Sequence, residues 1–207
     1  MKAWNEKATK ESLEKTVAAL KANGIEARVV ANSGAARAAV LEMIPAGAEV
    51  LTMTSVTLDT TCLSKDLNDS GKYNSVRAAL TAMNPQTQAR EQRKLGAAPD
   101  FTVGSAHAVT ESGTVVVASL TGSQLPAYAY GAGTVVWVVG AQKIVKDVEE
   151  GLERIDEYLV EKESARARKA YNLPEGFRTF PSKVLLFNRE VQPGRVKVVI
   201  VDEVVGN

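Results

Sequence analysis

The stretch 100–122, DFTVGSAHAVTESGTVVVASLTG, decides how this chain is interpreted. Its two apolar flanks enclose a polar segment, a pattern that predicts a strand, a sharp turn and a second strand. The predicted turn carries Ser105, His107, Glu111 and Gly113. Because ligands of α/β proteins bind beside the ends of strands, we expect a functional site at this turn.

The segments around this stretch alternate between helical and extended patterns. Such alternation is typical of a parallel sheet covered by helices, and the apolar runs at 115–119 and 134–140 are typical of strands buried on both faces. We therefore expect a single α/β domain, 1–207, with a mostly parallel central sheet. The predicted helices are 5–23, 34–44, 58–67, 76–83, 87–96, 122–130 and 148–172, and the other predicted strands are 25–30, 49–54 and 196–201.

The composition is that of an ordinary globular protein. The chain has 207 residues, of which 45% are hydrophobic and 24% charged, and its formal net charge is +1. This balance argues against a nucleic-acid or membrane-surface partner. The single cysteine, Cys62, excludes an internal disulfide and fits a reducing compartment. The charged amino terminus has no signal-peptide pattern and no run is long enough to span a membrane, so we expect a cytoplasmic protein.

Glu111 is the best candidate for a catalytic group. A carboxylate held in a tight turn beside Gly113 can act as a base or as a nucleophile toward a bound ligand. The same position also suits a solvated carboxylate or one that caps backbone amides. His107, the only histidine, lacks cysteines or carboxylates at ligand spacing, so we predict no metal site and expect it to form a structural hydrogen bond.

Other candidate ligand-binding residues follow predicted strands. Ser55 and Thr57 come after the second strand, where their hydroxyls can bind a ligand or cap the next helix. Lys143 follows the apolar run 134–140, where a positive charge can meet a carboxylate or phosphate, although a surface lysine is an equal alternative. Gly122 can let a backbone approach an anion, and His107, Gly113 and Thr114 of the polar turn are further candidate ligand-binding residues. No Walker loop, dinucleotide-binding glycine motif or GxSxG motif is present.

An ordered set of motifs resembles the LUD-domain family, which is associated with lactate utilisation. The resemblance spans most of the chain. The motifs are SVTL at 55–58, AHAVTESGT at 106–114 with Thr114 at its end, Gly122, VVWVVGAQKIV at 135–145, DVEEGLERI at 147–155 and DEVVG at 202–206.

This resemblance implies a three-layer α/β domain with a NagB/RpiA/CoA transferase-like fold. It also implies a role in lactate or other organic-acid metabolism alongside iron–sulfur protein partners. Glu111 and Gly113 are similar to the turn that carries the nucleophilic glutamate of class I CoA transferases, although Ser112 stands where those enzymes usually have asparagine. The sequence leaves a homo-oligomer open.

Two departures from the family narrow these expectations. Residues 172–188 contain no cysteine where many relatives have a cysteine-rich run, so no iron–sulfur or zinc cofactor is evident. Gly122 is followed by Ser123 and Gln124, whereas relatives commonly have asparagine and arginine there. The missing arginine shifts the binding of an anion onto Lys143 and backbone amides.

Three functions follow from these observations. The first is a protein that binds a small carboxylate or phosphorylated metabolite in a pocket formed by Ser55, Thr57, Glu111, Gly113, Gly122 and Lys143. The second is an acyl-transferase or isomerase that uses Glu111. The third is a non-catalytic subunit that docks on an iron–sulfur oxidoreductase.

Overall fold

A six-stranded parallel sheet forms the centre of the computed structural model, which describes residues 4–207. In spatial order its strands are the first, tenth, seventh, fourth, second and third along the chain. The strands are β1 Glu26–Val30, β2 Glu49–Thr52, β3 Asn74–Ser75, β4 Phe101–Gly104, β5 Ala108–Thr110, β6 Val115–Ser119, β7 Thr134–Gly140, β8 Ile144–Val145, β9 Lys183–Phe187 and β10 Val196–Val201.

Helices cover both faces of this sheet. They are α1 Lys10–Ala22, α2 Ser33–Met43, α3 Val56–Thr60, α4 Leu63–Asp69, α5 Val76–Ala82, α6 Ala89–Ala97, α7 Val148–Arg154 and α8 Val160–Tyr171. A π-helical turn, Ile155–Leu159, joins α7 to α8, a second such turn covers Ala127–Gly131, and a 3-10 turn covers Ala141–Lys143.

The central strands β7 and β10 alternate their side chains between two separate cores. Val135, Trp137 and Val139 of β7 pack with residues of α1 and of a second sheet on one face. Val136 and Val138 pack with residues of α2, α3 and α4 on the other face. Because both faces are covered, most residues of these strands are Val or Ile. The expected three-layer α/β architecture with a mostly parallel central sheet is confirmed.

The second sheet has four strands in the order β8, β5, β6 and β9. β5 pairs parallel with β8, whereas β6 pairs antiparallel with both β5 and β9. Val109, Val115 and Val117 face the central sheet, and Ala108 and Val116 face the helical segment made of α7, the π turn and α8. This sheet lies between the central sheet and that segment.

The second sheet corrects the interpretation of the stretch 100–122. The sequence pattern predicts two strands joined by one turn. Instead, β4 belongs to the central sheet, and the chain then crosses to the second sheet, where β5 and β6 form a hairpin. The segment expected to be one turn therefore contains a strand, 108–110, with a change of direction at each end.

Several other boundaries also differ from the sequence predictions. The first helix begins at Lys10, because Thr9 accepts a hydrogen bond from the Ser12 amide and acts as N-cap. The predicted helix 58–67 is two short helices, because Cys62 between them has a left-handed backbone with φ 61°. Its N-cap is Ser55, and Thr57 lies inside α3. Strand β9 is absent from the predicted strands, although its residues 184–187, VLLF, form a short apolar run. Within residues 4–207, no helix has both the length and the apolar composition needed to cross a membrane.

Candidate functional site

Three neighbouring strands of the central sheet end at the same edge and bring polar side chains together there. β2, β4 and β7 are adjacent and parallel. Thr57 follows β2 within α3, Ser105 directly follows β4, and Lys143 follows β7 in the 3-10 turn. Carboxyl ends of parallel strands are the usual place for a ligand in such sheets.

Lys143 is the charged group at the centre of this edge. Its side chain is buried, with 4% of the residue exposed. Nζ donates to Thr57 Oγ1 at 2.9 Å and to Ser105 Oγ at 3.1 Å. No carboxylate of residues 4–207 forms an ion pair with it. The expectation that Lys143 follows a buried strand is met, and the surface-lysine alternative does not apply.

The two hydroxyls accept from the Lys143 ammonium, because an ammonium has donors and no acceptor. Thr57 Oγ1 donates to the Val205 carbonyl at 3.4 Å, and Ser105 Oγ donates to the Ala106 carbonyl at 3.3 Å. Each hydroxyl has a single hydrogen to donate. The lysine is therefore held by two oxygen acceptors that bring no negative charge.

Burial lowers the pKa of Lys143 to about 7, and the nearby positive charge of Arg154 adds to this effect. A buried ammonium loses its hydration, and two neutral hydroxyls replace only part of it. An ion pair with a carboxylate would oppose the shift, but none of the described residues provides one. At neutral pH the side chain therefore exists in both its charged and its neutral form.

A cavity of about 100 Å³ opens beside Lys143, and we call it the strand-end cavity. One water-sized group needs about 10–15 Å³ of such a volume, so the space suits a compact ligand of a few heavy atoms. Its wall is formed by loops that follow several strands and by the α7–α8 segment. The lining residues are Met53, Thr54, Ser55, Val56, Thr57, Ser105, Ala106, His107, Gln124, Tyr128, Lys143, Leu159, Glu163, Arg166 and Asn207.

Close backbone approaches shape this wall. A Cβ on Gly104 would overlap the hydroxyl of Tyr128, so the glycine lets that ring lie over the end of β4. A Cβ on Gly206 would overlap the Thr57 hydroxyl. Gln142 also donates to the Val205 carbonyl at 3.0 Å. The segment after β10 is thus fixed against the residues that position Lys143.

His107 lies at the start of β5 and lines the strand-end cavity. Its Nδ1 accepts a hydrogen bond from the Ala118 amide at 3.2 Å, which requires an unprotonated nitrogen. Burial, together with the positive charges of Lys143 and Arg154, lowers the pKa of His107 to about 3. The side chain is therefore neutral at physiological pH and acts as an acceptor. This is the structural hydrogen bond that the sequence led us to expect.

Arg154 supplies a fixed positive charge behind the cavity. It is fully buried, and its Nη1 donates to the His107 carbonyl at 2.7 Å. Within residues 4–207, its Nε and Nη2 have no hydrogen-bond partner, and the guanidinium carbon lies 5.3 Å from the centre of the Tyr158 ring. Burial lowers the pKa of Arg154 to about 10, which still leaves it charged at neutral pH.

The α8 helix adds an ion pair to the cavity wall. Arg166 binds Glu163 through two hydrogen bonds of 2.6 and 2.7 Å. The charges of this pair cancel, so the cavity keeps the excess positive charge of Lys143 and Arg154. An anion is the ligand that such a field favours.

Glu111 does not lie at this cavity. Its carboxylate accepts from Ser12 Oγ at 2.7 Å and forms an ion pair with Lys15 at 2.7 Å, both on α1. The hydrogen bond and the charge of Lys15, with the Ser12 hydroxyl, hold the pKa of Glu111 below its usual value. β5 separates Glu111 from the cavity. His107, which lines the cavity, directly precedes the strand, whereas Glu111 directly follows it.

Gly113, Thr114 and Gly122, which the sequence also marks as candidates, do not line the cavity either. Gly113, with φ 83°, packs against the end of α1, where a Cβ would lie 2.8 Å from the Ala19 carbonyl carbon. Thr114 donates to Asn188 Oδ1 at 3.1 Å. Gly122 lies against the Lys183 side chain, where a Cβ would be 2.7 Å from Cδ of that lysine. Of the predicted site residues, Ser55, Thr57, His107 and Lys143 line the strand-end cavity, whereas Glu111, Gly113, Thr114 and Gly122 do not.

Sequence reasoning missed several residues of the cavity wall. Ser105 belongs to the predicted polar turn but not to the predicted site, although its position directly after β4 gives a signal. Tyr128, Glu163 and Arg166 come from helical segments that are remote in the sequence, and no local pattern marks them. Within the described part of the chain, no cluster of His, Cys, Asp or Glu side chains is arranged to hold a metal ion.

Fold and site together define a three-layer α/β protein with a small cationic cavity at the carboxyl ends of parallel strands. The family model described as the LUD domain matches residues 13–201, and the chain belongs to this family. A comparison with curated protein sequences finds no match.

A solved structure has a similar fold. The crystal structure of a DUF162 family protein from Deinococcus radiodurans is similar, with a TM-score of 0.57, 13% identity and coverage of 92% of this chain and 96% of that chain. At this identity the likeness concerns the fold alone. The eIF2B beta structure from Chaetomium thermophilum has a TM-score of 0.34 and 14% identity over 54% of this chain and 42% of that chain. A TM-score this low does not show a shared fold.

Proposed function

We propose that this LUD-domain protein binds a small carboxylate or phosphorylated metabolite in the strand-end cavity and serves lactate or related organic-acid metabolism. The observation that carries the proposal is the amino group of Lys143. It is buried at the cavity, is held by two hydroxyls and has no carboxylate partner among residues 4–207. A bound anion would supply the missing negative charge.

The donor pattern around Lys143 supports an anionic ligand. An ammonium has three N–H donors, and two of them are used by Thr57 and Ser105. The third is available to an oxygen of a ligand in the cavity. A hydrogen bond to a charged group contributes about 1.5–3 kcal/mol, which corresponds to roughly 10–150-fold in affinity.

The size of the cavity supports a small metabolite. Its volume of about 100 Å³ is well below the range of roughly 300–1,000 Å³ that is typical of sites for drug-sized ligands. Lactate and inorganic phosphate each have only a few heavy atoms. A larger phosphorylated metabolite would have to extend through the mouth of the cavity.

The test is a thermal-shift titration of the full chain with lactate and with inorganic phosphate. A ligand that binds only the native state raises the melting temperature in proportion to ln(1 + [L]/Kd). We expect a concentration-dependent rise for the unmodified protein and a loss of roughly 10–150-fold in apparent affinity for Lys143→Met. Lys146→Met is the matched control, because Lys146 is an exposed lysine three residues further along the chain.

Two results would refute the proposal. One is the absence of any shift with both anions at high concentration. The other is an equal shift in Lys143→Met and in the unmodified protein, which would place binding elsewhere. In cells that grow on lactate, loss of function in Lys143→Met with normal growth of Lys146→Met would tie the cavity to organic-acid metabolism.

The alternative functions expected from the sequence receive no comparable support. An acyl transfer at Glu111 would need a free carboxylate at a pocket, whereas this carboxylate is bound by Ser12 and Lys15. An iron–sulfur protein partner stays an expectation from the family, and co-purification of a cysteine-rich protein would be its direct test.

A further inference from the structure

The arrangement of hydrogen bonds at Lys143 suits a neutral amine as well as an ammonium. A neutral amine has two N–H donors and one lone pair. The donors match the two acceptors, Thr57 Oγ1 and Ser105 Oγ, which are 2.9 and 3.1 Å from Nζ. Each hydroxyl hydrogen also has a backbone carbonyl within reach, at 3.4 Å for Thr57 and 3.3 Å for Ser105, and when it turns to that carbonyl it does not donate to the lone pair. The lone pair is then free to react with a molecule in the strand-end cavity.

The charged and titratable groups around Nζ favour this neutral form. His107 is uncharged and engaged with a backbone amide, and Tyr128 lies in the wall with its pKa raised by burial. Glu163 and Arg166 neutralise each other, and Arg154 adds an unbalanced positive charge. None of these groups holds the proton on Lys143, because the only carboxylate among them is committed to Arg166.

The same charges select the kind of molecule that meets the amine. The positive charge of Arg154 lies behind the cavity, and the guanidinium of Arg166 lies in its wall. The unbalanced charge of Arg154 favours a ligand with a carboxylate, whereas the charge of Arg166 is already balanced by Glu163. The small volume limits the remainder of that ligand to a short chain. A neutral amine beside such a ligand is nucleophilic toward a carbonyl carbon.

We propose that Lys143 forms a Schiff base with a small 2-oxo acid bound in the strand-end cavity. This inference rests on the proposed anion-binding function and names the substrate class for it. The Nζ lone pair adds to the keto carbon, the C=O π pair moves to oxygen, and that oxygen takes up the proton that the nitrogen loses. The carbinolamine then eliminates water to leave a C=N bond. No electrons are gained or lost overall, and no co-reactant is needed.

The experiment is reductive trapping on the full chain. The protein is incubated with pyruvate and sodium cyanoborohydride at pH 7, and its intact mass and tryptic peptides are measured. We expect one reduced pyruvate on the tryptic peptide that contains Lys143, and the α-amino group, whose ordinary pKa is about 7.7–8.0, is followed separately on the N-terminal peptide. Because the pKa of Lys143 is lowered to about 7, its neutral fraction at pH 7 exceeds that of a lysine with pKa about 10.4 by roughly a thousandfold. Labelling of Lys143 should exceed that of Lys146 by a factor on the order of ten or more.

Two variants complete the test. Lys143→Arg keeps a positive charge but has no nucleophilic amine, so it should lose the adduct, whereas Lys146→Arg should keep it. The peptide map of the unmodified protein does not depend on whether Lys143→Arg folds. Absence of an adduct at Lys143, or an adduct spread evenly over surface lysines, would overturn the Schiff base.

Lactate separates this inference from the proposed function, because it has a carboxylate but no carbonyl that can be trapped. If lactate raises the melting temperature and pyruvate is not trapped, anion binding stands and the Schiff base fails. If neither lactate nor phosphate binds and pyruvate is not trapped, both proposals fail. Trapping that lactate suppresses by competition supports both.

Discussion

Lys143 and Glu111 lie at opposite ends of one pair of strands, and their surroundings differ in burial and in charge. β5 and β8 pair in parallel, so their starts lie together and their ends lie together. Lys143 directly precedes β8 and Glu111 directly follows β5. Lys143 is buried beside neutral hydroxyls, whereas Glu111 is paired with Lys15 at the surface.

This comparison distinguishes two uses of a charged side chain. Glu111 has a counter-ion and a hydroxyl donor within the chain, so its charge is already satisfied and attaches the β5–β6 hairpin to α1. Lys143 is removed from water without a counter-ion in the described residues, which costs stability. A buried charged group without a counter-ion is a better candidate for binding a ligand than a group that already has its ion pair and hydrogen bonds.

The largest expected effect concerns the stability cost of Lys143. Its pKa is about 7 in the folded protein, below the ordinary value of 10.5, so the unfolded chain binds more protons between these pH values. Stability therefore rises with pH in this window. Each unit corresponds to about 1.4 kcal/mol. Relative to Lys143→Met, the unmodified protein should gain on the order of 4 kcal/mol between pH 7 and pH 10, as measured by urea unfolding at a series of pH values.

The prediction concerns the difference in unfolding free energy between the unmodified protein and Lys143→Met, because other groups also titrate between pH 7 and pH 10. Subtracting the Lys143→Met curve removes their contribution. A difference that stays constant from pH 7 to pH 10 would show that Lys143 keeps its proton and would weaken the contrast with Glu111.

A smaller effect is expected at His107, which directly precedes β5, whereas Glu111 directly follows it. His107→Leu removes the acceptor of the Ala118 amide and leaves a buried N–H without a partner. Such a loss costs about 1–3 kcal/mol of unfolding free energy. Urea unfolding at pH 7 measures it. His107→Asn is the matched comparison, because an amide oxygen can accept the same hydrogen bond and restore part of the stability.

The protonation of His107 gives an independent check. This is the only histidine of the chain, so proton NMR shows a single imidazole. With a pKa lowered to about 3, its Hε1 resonance should not shift between pH 8 and pH 5. A titration with a midpoint near 6.5 would mean that the ring is exposed to water and is not bound as we describe.

The smallest effect is expected for Glu111→Gln. Its folded pKa is lowered, so the charged form stabilises the protein above the ordinary pKa of 4.5, and this contribution is lost as the pH falls below that value. Glu111→Gln should therefore cost a small amount of stability at pH 7 and almost nothing at low pH. Lys15→Met should lose a similar small amount of stability at pH 7. The variant that combines both substitutions should be little less stable than either single variant, because each removes the same ion pair.

Glu111→Gln should also leave binding of lactate and phosphate unchanged. This outcome, together with a loss of binding in Lys143→Met, would complete the contrast between the two ends of the strand pair. Weaker anion binding in Glu111→Gln would instead link the hairpin turn to the cavity.

Local patterns in the sequence are sufficient for the central sheet. The apolar runs of β7 and β10 are buried on both faces, so their composition alone identifies them. Asp147 begins a long helical segment as expected, because an acidic N-cap acts on the nearest amides. Lys143 can be placed near a strand end for the same reason, since it lies three residues after the last residue of β7.

The second sheet could not be predicted because its pairing is not local. β5 has only three residues, and its neighbour β6 gains its other partner, β9, from a distant part of the chain. Without β9 the hairpin at 108–119 resembles a simple turn, and nothing distinguishes Glu111 from the polar residues before it. The ion pair with Lys15, which decides its role, joins residues that no spacing rule connects.

The π-helical turn at Ile155–Leu159 makes the cavity depend on the number of residues and not only on their identity. This turn stands between Arg154, which binds the His107 carbonyl, and the pair Glu163 and Arg166 on the cavity wall. Deleting one residue from it would rotate all later side chains by about 100° around the helix axis. Every side chain named in the site would still be present in such a protein, yet Glu163 and Arg166 would no longer face the strand-end cavity.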